Sequence, residues 1–495
     1  MEEVFIDRES EKKYIMSLVL SGSKIWILGL RGYGKTSLVR NVLEDLRKRH
    51  LRGLLIDCLR IYSGEDLLLA FLKEVEGISI EDVGNISKEI RLLTRKIGAK
   101  DALEELFNYA MEIGLKVIVF DEISTLIQRF GLLKPYRGFG GIKAVGEHLK
   151  TLLNNVSFSV IFIDTSINAL FELFKDYTAP LFKEFTAEIK ISPLDLDSSL
   201  QLVDILLSRK GFIIDDEVKM AIAEYSGGVP QYIKMISDLI YKPFSRKEFD
   251  EIFLKSLREG FLNDYLRALF EKFSPAEQEV LYILSRGPKR FSEINSLAVN
   301  AAATLEMLQK KLIVNRIDKG KKLVYYEISD RLFATWLALQ EFPRLKKISG
   351  ERARIYYLGL EALVRELFFT LKDSVMIIDE LGDEIVIKPS KEVYRYEGAL
   401  GEIDLVAVTT EGETYIGEVY GGFKCPKRKV DELLKNIHIM EKLGKRSIIG
   451  LLISYHEIPS ETLEYIRYLK DSGVRIYALT KKQLRRLSKE SLVKI

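Results

Sequence analysis

The sequence predicts an α/β protein whose N-terminal part is built around a parallel β-sheet. Between residue 24 and about residue 190, short apolar runs alternate with longer helical patterns, which is typical of a parallel sheet covered by helices. A glycine-rich loop follows the first apolar run, and the run Leu115–Phe120 ends in two acids. The predicted strands are Lys24–Leu28, Leu54–Cys58, Leu115–Phe120, Ser159–Ile163 and Ala187–Ile191.

The glycine-rich loop is the most specific motif of the chain. Residues 29–36 fit the pattern G-x-x-x-x-G-K-[ST], between the apolar run Ile25–Leu28 and a helical pattern. Glycines let backbone N–H groups wrap a phosphate chain, and the helix N-terminus and Lys35 add positive charge. Thr36 is expected to place its hydroxyl on Mg²⁺. The loop residues expected to bind a nucleotide are Gly29, Leu30, Arg31, Gly32, Tyr33, Gly34, Lys35, Thr36 and Ser37.

The acids at the end of Leu115–Phe120 supply the remaining chemistry for a nucleoside triphosphate. Asp121 is expected to hold the Mg²⁺ shell, and Glu122 to orient and deprotonate the attacking water. Behind a complete phosphate loop, this interpretation is favoured over two solvated acids at a strand end. The expected catalytic residues of this site are therefore Glu122 and Lys35.

The N-terminal residues and the central part of the chain resemble the archaeal ATPases of the AAA+/STAND branch of P-loop NTPases, over about residues 3–345. Phe5–Glu11 is similar to that family's F-[VI]-G-R-E-x-E box, with Asp7 in place of the usual glycine. The box packs near adenine, so the resemblance implies that Phe5 and Arg8 contact the nucleotide. ATP is the expected substrate on the same ground, with Mg²⁺ as its cofactor.

Two further segments carry the resemblance. Gly227–Tyr232 is similar to the family's G-G-x-P-x-Y lid motif, which implies that Pro230 lies over the base. Phe162–Ser166 lies where the family has a strand that ends in a polar γ-phosphate sensor. Thr165 or Ser166 is the implied sensor.

One segment departs from the family pattern. The family often carries P-L-[YF]-G-R before the last sheet strand, whereas this chain reads Pro180-Leu181-Phe182-Lys183-Glu184. An arginine that stabilises phosphoryl charge contributes ~10³-fold or more to the rate, and lysine lacks its planar fork. We expect either that Lys183 is a partial catalytic substitute or that hydrolysis is slow.

The resemblance predicts four domains in an α/β chain. They are an AAA+-like P-loop NTPase core with a parallel sheet (1–192), a helical lid (193–265), a winged helix (266–347) and a C-terminal α/β domain similar to restriction endonucleases (348–495). The lid is expected because strand patterns give way to helical ones after about residue 195.

The predicted winged helix consists of three helices and a basic hairpin. The helices are Ala276–Ser285, a short one near Ser292–Ile294 and Ala301–Leu312, and the strands are Ile313–Ile317 and Leu323–Ile328. Between the strands, Lys319, Lys321 and Lys322 are expected to contact DNA phosphates. The third helix offers few base-reading side chains, so backbone binding is favoured over sequence readout. A protein-docking winged helix remains an open alternative.

The C-terminal domain carries acids on a predicted helix and two predicted strands. These acids are Glu361, Asp404 and Glu418, and carboxylates that meet at one sheet edge can bind the cation that activates water. The pattern resembles the PD-(D/E)xK nuclease fold, in which Asp404 and Glu418 would be the metal acids. Tyr420 stands where the catalytic lysine is expected, and Lys424 is the candidate to reach the same site. Alternatively, the domain only binds DNA or a partner.

Composition limits the remaining possibilities. With 75 Lys and Arg against 72 Asp and Glu, the net charge of +3 favours no polyanionic partner for the whole chain, so any nucleic-acid surface must be local. Cys58 and Cys425 lie outside any C-x-x-C spacing, which argues against a disulfide framework or a thiolate zinc site. The charged N-terminus and the lack of a long apolar run predict a cytoplasmic protein with no membrane partner.

The leading hypothesis is an ATPase that couples its nucleotide state to DNA engagement through the winged helix and the nuclease-like domain. The alternative is a STAND-type switch that docks a protein partner and cleaves no DNA. An origin-recognition-type initiator is a weaker third hypothesis, because the C-terminal domain does not suit it. A homo-oligomer is compatible with each of them.

Overall fold

The structure is a computed structural model that describes residues 6–76, 97–138, 140–165, 173–174, 179–319, 324–340, 359–398, 401–422 and 424–491. The chain divides into two compact units. The first unit consists of Met1–Ser192 with Lys310–Leu312, and the second of Pro193–Gln309 with Ile313–Ile495.

The first unit contains a five-stranded parallel sheet. Its strands are β1 (Lys24–Leu28), β2 (Gly53–Asp57), β3 (Val117–Asp121), β4 (Ser159–Asp164) and β5 (Ala187–Lys190). They lie in the order β2-β3-β4-β1-β5, and each pair is parallel. All five predicted strands are present, with ends shifted by at most two residues. Strands β3 and β4 are apolar along almost their whole length, as expected of strands buried on both faces.

The helices of the first unit alternate with these strands. They are α1 (Glu9–Leu20), α2 (Lys35–Lys48), α3 (Gly64–Glu76), α4 (Ala99–Glu112), α5 (Ile123–Gly131) and α6 (Ile142–Asn154). Their apolar faces and the sheet share one large buried cluster, in which Phe107, Phe120 and Phe162 are fully or almost fully buried. Because β1, β3 and β4 are neighbours, the loops that follow them meet at one edge of the sheet.

The second unit begins with a helical region. Its helices are α7 (Leu196–Arg209), α8 (Asp216–Tyr225), α9 (Pro230–Ser237), α10 (Arg246–Glu259) and α11 (Phe261–Phe270). The turn between α8 and α9 requires glycine, because Gly228 has a φ of +75° and a Cβ there would lie 2.1 Å from the carbonyl oxygen of Leu194. Pro230 occupies the first turn of α9, where its missing N–H costs nothing.

Residues 275–339 contain helices and a small antiparallel sheet. The helices are α12 (Pro275–Leu284), α13 (Phe291–Asn295), α14 (Ala301–Lys310) and α15 (Arg331–Leu339), and the strands are β6 (Lys289–Arg290), β7 (Val314–Asp318) and β8 (Val324–Ile328). The sheet order is β6-β8-β7. The three helices and the hairpin predicted from the sequence are therefore present, whereas β6 and α15 were not predicted. Assignment of this region as a winged helix stays a prediction.

The C-terminal part is a mixed five-stranded sheet with helices. The strands are β9 (Val375–Ile378) and β10 (Glu384–Ile387), which form a separate pair, and β11 (Ser390–Gly398), β12 (Gly401–Thr409), β13 (Thr414–Tyr420), β14 (Ile448–Ser454) and β15 (Ile476–Leu479). The helices are α16 (Gly359–Thr370), α17 (Arg428–Lys442), α18 (Ser460–Asp471) and α19 (Lys481–Lys489). The sheet runs β11-β12-β13-β14-β15, antiparallel up to β13 and parallel beyond it. The sequence predicts a helix over Arg352–Leu371; α16 forms its part from Gly359 on, and residues 352–358 lie outside the described residues.

Across the described ranges, the structure contains no helix whose length and apolar character would let it cross a membrane.

Candidate functional site

The first candidate site lies where the loops after β1, β3 and β4 meet. The glycine-rich loop follows β1, Asp121 and Glu122 lie at the end of β3, and Thr165 follows β4. Gly32 and Gly34 both have a φ of +85°, and Gly34 directly precedes α2. These positive φ values favour glycine and let the loop turn into the helix. Lys35 is therefore the first residue of the helix.

Lys35 is buried and points back onto its own loop. Its side chain is 5% exposed. The ammonium donates to the carbonyl oxygens of Gly29 at 2.7 Å and Leu30 at 3.1 Å, and to Thr165 Oγ1 at 3.3 Å. Burial lowers the pKa of Lys35, and the nearby acids Glu122 and Asp121 oppose that shift. The loop therefore holds a cation that anionic oxygens would stabilise.

The two acids have different partners. Thr36 donates from Oγ1 to Asp121 Oδ2 at 2.7 Å. Burial raises the pKa of Asp121, and the bond from Thr36 opposes that shift. Glu122 precedes α5 with a left-handed φ of +56°, and its Oε1 accepts a hydrogen bond from the hydroxyl of Thr165. The structure therefore brings together the predicted residues Lys35, Thr36, Asp121 and Glu122.

The donor set of Thr36 and Asp121 fits Mg²⁺. Within the described residues, no group of three or more His, Cys, Asp or Glu side chains is arranged to hold a metal ion. Mg²⁺ at a nucleotide site needs only one or two protein oxygens, because phosphates and waters complete its octahedron. A hydroxyl and a half-buried carboxylate in contact meet that requirement.

Comparison with known proteins agrees with this geometry. Residues 5–236 match the profile of a family described as an ATPase domain predominantly from Archaea. This part of the chain is therefore similar to a P-loop ATPase domain, and it is called the ATPase domain here for that likeness. No curated protein matches the sequence.

One solved structure shows a similar fold, and a second is a more distant match. The Walker-type ATPase PABY2304 of Pyrococcus abyssi is similar with a TM-score of 0.52 at 20% identity, over 68% of this chain and 96% of that chain. The Holliday junction branch migration motor RuvB of Thermotoga maritima matches at 15% identity with a TM-score of 0.36, over 66% of this chain and 92% of that chain. The second likeness is too distant to bear on function.

Arg8 of the ATPase domain holds the phosphate loop in shape. Its guanidinium is buried, with the residue only 4% exposed, and donates to the carbonyl oxygens of Tyr33 at 2.9 Å and Ser192 at 2.7 Å. Asp7 and Arg8 both have positive φ values, 59° and 68°. The structure thus gives Arg8 a direct contact with the loop, through the backbone of Tyr33. The neighbouring prediction, Phe5, lies outside the described residues.

The other predicted nucleotide contacts of the ATPase domain remain predictions. Lys183 is exposed, with a φ of +61° and its ammonium 5.3 Å from the centre of the Phe182 ring. Glu184, at the position of the family's arginine, pairs with Lys150 at 3.3 Å. Ser166 lies outside the described residues, and Pro230 belongs to the second unit.

The second candidate site lies on the C-terminal sheet. Pairing of Leu405 with Gly417 brings Asp404 beside Glu418 on neighbouring antiparallel strands, and Asp404 Oδ2 accepts from the backbone N–H of Val419 at 2.9 Å. Glu361 lies in the first turn of α16. Burial raises the pKa of Glu361, and the negative charge of Asp404 raises it further. The three predicted acids therefore lie near one another.

Two of these acids, Glu418 and Glu361, are already paired with cations. Lys429 donates to Glu418 Oε1 and Glu432 Oε2, both at 2.6 Å, and Asn436 donates to Glu418 Oε2 at 3.0 Å. Glu361 lies 3.9 Å from Arg365 and 3.8 Å from Arg395. Among the described residues, no three carboxylates are therefore arranged to coordinate a metal ion.

The lysine that contacts these acids differs from the one predicted. Lys424 is exposed and lines a separate cavity of about 880 Å³ together with His456 and Lys481. Lys429 lies in the first turn of α17, eleven residues after Glu418, and this position turns its side chain to the carboxylate. Burial lowers the pKa of Lys429, but its bonds to Glu418 and Glu432 outweigh that and leave the pKa raised. A lysine in the helix after the second acid is the sequence signal that would have found it.

The side chain of Lys319 contacts the protein itself. Its ammonium donates to the carbonyl oxygen of Ser390 at 2.9 Å and lies 3.6 Å from the centre of the Phe369 ring. Burial lowers the pKa of Lys319 to about 7, although Glu327 opposes the shift. Contact of Lys319 with DNA would have to replace these interactions, and it stays a prediction. Lys321 and Lys322 lie outside the described residues.

Helix α14, the predicted recognition helix, exposes an apolar face. Ala302, Ala303, Glu306 and Met307 are exposed, and Met307 is 42% exposed. Val299, in the turn that precedes the helix, is 73% exposed. This face has an acid and methyl groups where a DNA-binding helix carries amides and cations.

Proposed function

We propose that this protein is an Mg²⁺-dependent ATPase of the AAA+/STAND type that couples its nucleotide state to DNA engagement through the C-terminal domain. The observation that carries the catalytic part is the convergence of Lys35, Thr36, Asp121 and Glu122 at one sheet edge. Each of the four supplies one of the functions that phosphoryl transfer to water requires.

Each of the four residues has its own role in phosphoryl transfer. Lys35 exchanges its bonds to the carbonyl oxygens of Gly29 and Leu30 for bonds to phosphate oxygens, which are stronger because donor and acceptor then carry opposite charges. Thr36 and Asp121 would hold Mg²⁺, which neutralises charge on the phosphates. Glu122 accepts the proton of the attacking water, and Thr165 holds the carboxylate of Glu122 in position.

The test of the catalytic part is the variant Glu122→Gln. We expect it to bind ATP like the parent and to hydrolyse it at least about 10²-fold more slowly, because the amide cannot accept the proton. The control is Glu112→Gln, an exposed acid at the end of α4. Equal single-turnover rates for both variants would show that Glu122 is not the base.

The contribution of Lys183 is proposed to be small. Its exposure supports slow turnover more than an efficient substitute for arginine. Single-turnover hydrolysis by Lys183→Ala tests this: a rate within about twofold of the parent removes Lys183 from the mechanism, whereas a loss of 10-fold or more assigns it a role in stabilising phosphoryl charge.

The DNA part of the proposal rests on Asp404 and Glu418, which lie side by side with a lysine in contact. Paired carboxylates and an ammonium are the groups that phosphodiester cleavage with Mg²⁺ or Mn²⁺ uses. Plasmid incubated with either metal should be cleaved by the parent and by Lys424→Ala, but not by Asp404→Asn. Cleavage that persists in Asp404→Asn would remove the nuclease proposal.

A second candidate function is a nucleotide-gated switch that docks a protein partner. Burial of Lys319 and the apolar exposed face of α14 favour it, because both weaken DNA binding by this region. A gel shift with ATP, with ADP and without nucleotide separates the two. The DNA proposal expects binding that falls steeply with salt, and the switch expects none. Light scattering in the same three states tests for a homo-oligomer, and neither function involves a membrane.

A further inference from the structure

Helix α19 carries positive charge and no negative charge. Its sequence, KKQLRRLSK, contains five cations and no acid. Lys481 and Lys482 lie in the first turn, where the helix dipole disfavours positive charge. Lys482 and Arg486 stand four residues apart, and like charges at that spacing repel each other. This charge pattern therefore lowers the stability of the helix in the free protein.

The opposite side of α19 attaches the helix to the domain. Leu484 and Leu487 are buried, and Gln483 donates from Nε2 to the carbonyl oxygen of Ile378 in β9 at 2.9 Å. Because the apolar side already packs within the protein, it cannot insert into a lipid surface. The exposed side of α19 therefore offers a partner charge rather than apolar surface.

The exposed side is called the basic face here and consists of Lys482, Arg485, Arg486 and Lys489. These four residues line a cavity of about 760 Å³ beside the start of β9. Asp373 and Glu490 line the same cavity. Across the described ranges, however, no acid lies within ion-pair distance of Lys482, Arg486 or Lys489. The three cations are therefore available to an anionic partner.

The start of α19 also has an excess of positive charge. Asp197 of α7 forms ion pairs with both Lys481 and Arg485, and it accepts a hydrogen bond from the hydroxyl of Tyr455 at 2.9 Å. One carboxylate thus faces two cations. Lys481, Lys482 and Arg485 also line the cavity of about 880 Å³ described above, so positive charge continues into that cavity.

The basic face begins at the edge of the sheet where Glu418 lies. Strands β13, β14 and β15 are parallel, so their carboxyl ends meet at one edge. Glu418 is near the carboxyl end of β13, and α19 follows β15 after one residue. Only β14 separates these two strands, which places them about 10 Å apart. A DNA strand that follows this edge from Glu418 therefore meets the first turn of α19.

We infer that the basic face docks the phosphate backbone of the DNA that Asp404 and Glu418 would cleave. The inference rests on the proposed function, because it names the surface that holds the substrate of that site. Along the helix axis the basic face spans about 10 Å, which is the rise of about three phosphates on one DNA strand. Bound phosphates also relieve the repulsion among the cations of α19.

DNA fits the basic face better than an acidic protein segment does. A protein partner normally buries an apolar core at its interface, and the basic face offers none. A phosphate backbone needs only cations at intervals along its path. Because phosphates are the same at every base pair, the basic face should bind DNA with little regard to sequence.

Fluorescence anisotropy with a labelled DNA duplex of about 20 base pairs tests the basic face on the full chain, in EDTA so that no metal-dependent cleavage occurs. The triple variant Lys482→Gln/Arg486→Gln/Lys489→Gln should bind at least about 30-fold more weakly at about 0.1 M salt. It should also lower the slope of log Kd against log salt by about 3, because each phosphate contact contributes about 1. The charge-preserving variant Lys482→Arg/Arg486→Lys/Lys489→Arg should bind like the parent.

The matched control removes the same charge at the opposite edge of the sheet. Lys442 ends α17, and Lys445 and Arg446 precede β14, so these residues lie at the amino end of that strand. Their triple Gln variant should keep the affinity and the salt slope of the parent. Both triple variants should unfold in urea no earlier than the parent, because the basic-face variant removes only repelling, exposed charges.

The outcomes separate the basic face from the proposed function. Equal affinities of the basic-face variant and the control variant overturn the basic face and leave DNA engagement standing. A parent that binds no duplex even at low salt overturns DNA engagement itself, and the basic face with it. Labelled poly-glutamate that binds the parent more tightly than the duplex, and loses affinity in the basic-face variant, overturns DNA as the occupant in favour of an acidic protein segment.

Discussion

The phosphate loop and the C-terminal acids each contain a lysine near carboxylates, yet the two lysines are held differently. Lys35 donates mainly to the backbone carbonyl oxygens of Gly29 and Leu30. Lys429 donates to two carboxylates, Glu418 and Glu432. Among the described residues, the hydrogen-bond acceptors of Lys35 are neutral oxygens, so its bonds lack the attraction between opposite charges that those of Lys429 have.

The ammonium of Lys35 is therefore ready for an anionic ligand, whereas the charge of Glu418 is already neutralised by Lys429. A phosphate that reaches Lys35 replaces weak acceptors with strong ones, so binding gains free energy. A cation that reaches Glu418 must first displace Lys429, which costs the ion pair. The phosphate loop is thus preorganised for an anion, whereas cation binding at Glu418 requires a rearrangement of Lys429.

The largest expected effect is on nucleotide affinity. Lys35→Met should weaken ATP binding at least about 100-fold, because the ammonium that would bind the phosphate oxygens is lost. Lys48→Met, at the exposed end of the same helix, should bind like the parent. Isothermal titration checks both, and similar affinities for the two variants would mean that Lys35 is as dispensable as Lys48.

The next effect concerns how the loop is held. Arg8→Ala should lower the free energy of unfolding by about 3 kcal/mol, since two buried carbonyl oxygens lose a charged donor at about 1.5 kcal/mol each. ATP affinity should fall as well, because Tyr33 belongs to the loop. Urea unfolding and nucleotide titration measure the two quantities, with Arg47→Ala, an exposed arginine of α2, as the control. A stable variant with full affinity would show that the loop keeps its shape without Arg8.

The sequence predicted the parallel sheet well, because its strands are continuous apolar runs and its loops carry a specific motif. Strand β11 was missed for a physical reason. It contains Lys391, Glu392 and Arg395, and its pairing with β12 shifts register twice, so no regular alternation of apolar and polar residues marks it. Strand β9 is only four residues long and belongs to an isolated pair.

The functional residues also differ in how far the sequence predicts them. Lys35, Thr36, Asp121 and Glu122 were predictable because strand ends of a parallel sheet meet at one edge. The contact of Lys319 with Ser390 joins segments that are distant along the chain, and no local pattern encodes it. Lys319, which the sequence places in a basic turn, therefore packs against other residues of the fold.

The variant Lys429→Met tests the ion pair between Lys429 and Glu418. Glu418 would keep only Asn436 as a partner, so the free energy of unfolding should fall by about 2 kcal/mol at pH 8. Burial raises the pKa of Glu418 to about 7, above its unfolded value, so the carboxyl is protonated at pH 5.5 and the loss should be smaller there. Lys435→Met on the same helix is the control for urea unfolding at both pH values. A loss that is the same at both would show that Glu418 does not carry the effect.

The smallest expected effect tests whether Lys319 is a packing residue. Burial lowers its pKa to about 7, below the unfolded value, so the unfolded chain binds the proton more tightly and stability should rise as pH increases from 7 to 9. The rise should be about 1 kcal/mol, because attraction of the ammonium to Phe369 offsets part of the burial cost. Lys319→Met should remove this part of the slope, and Lys272→Met, an exposed lysine, should retain it. If the free energy of unfolding changes with pH equally in the parent and in Lys319→Met, the Lys319 side chain is solvated. It would then be available for the predicted contact with DNA phosphates.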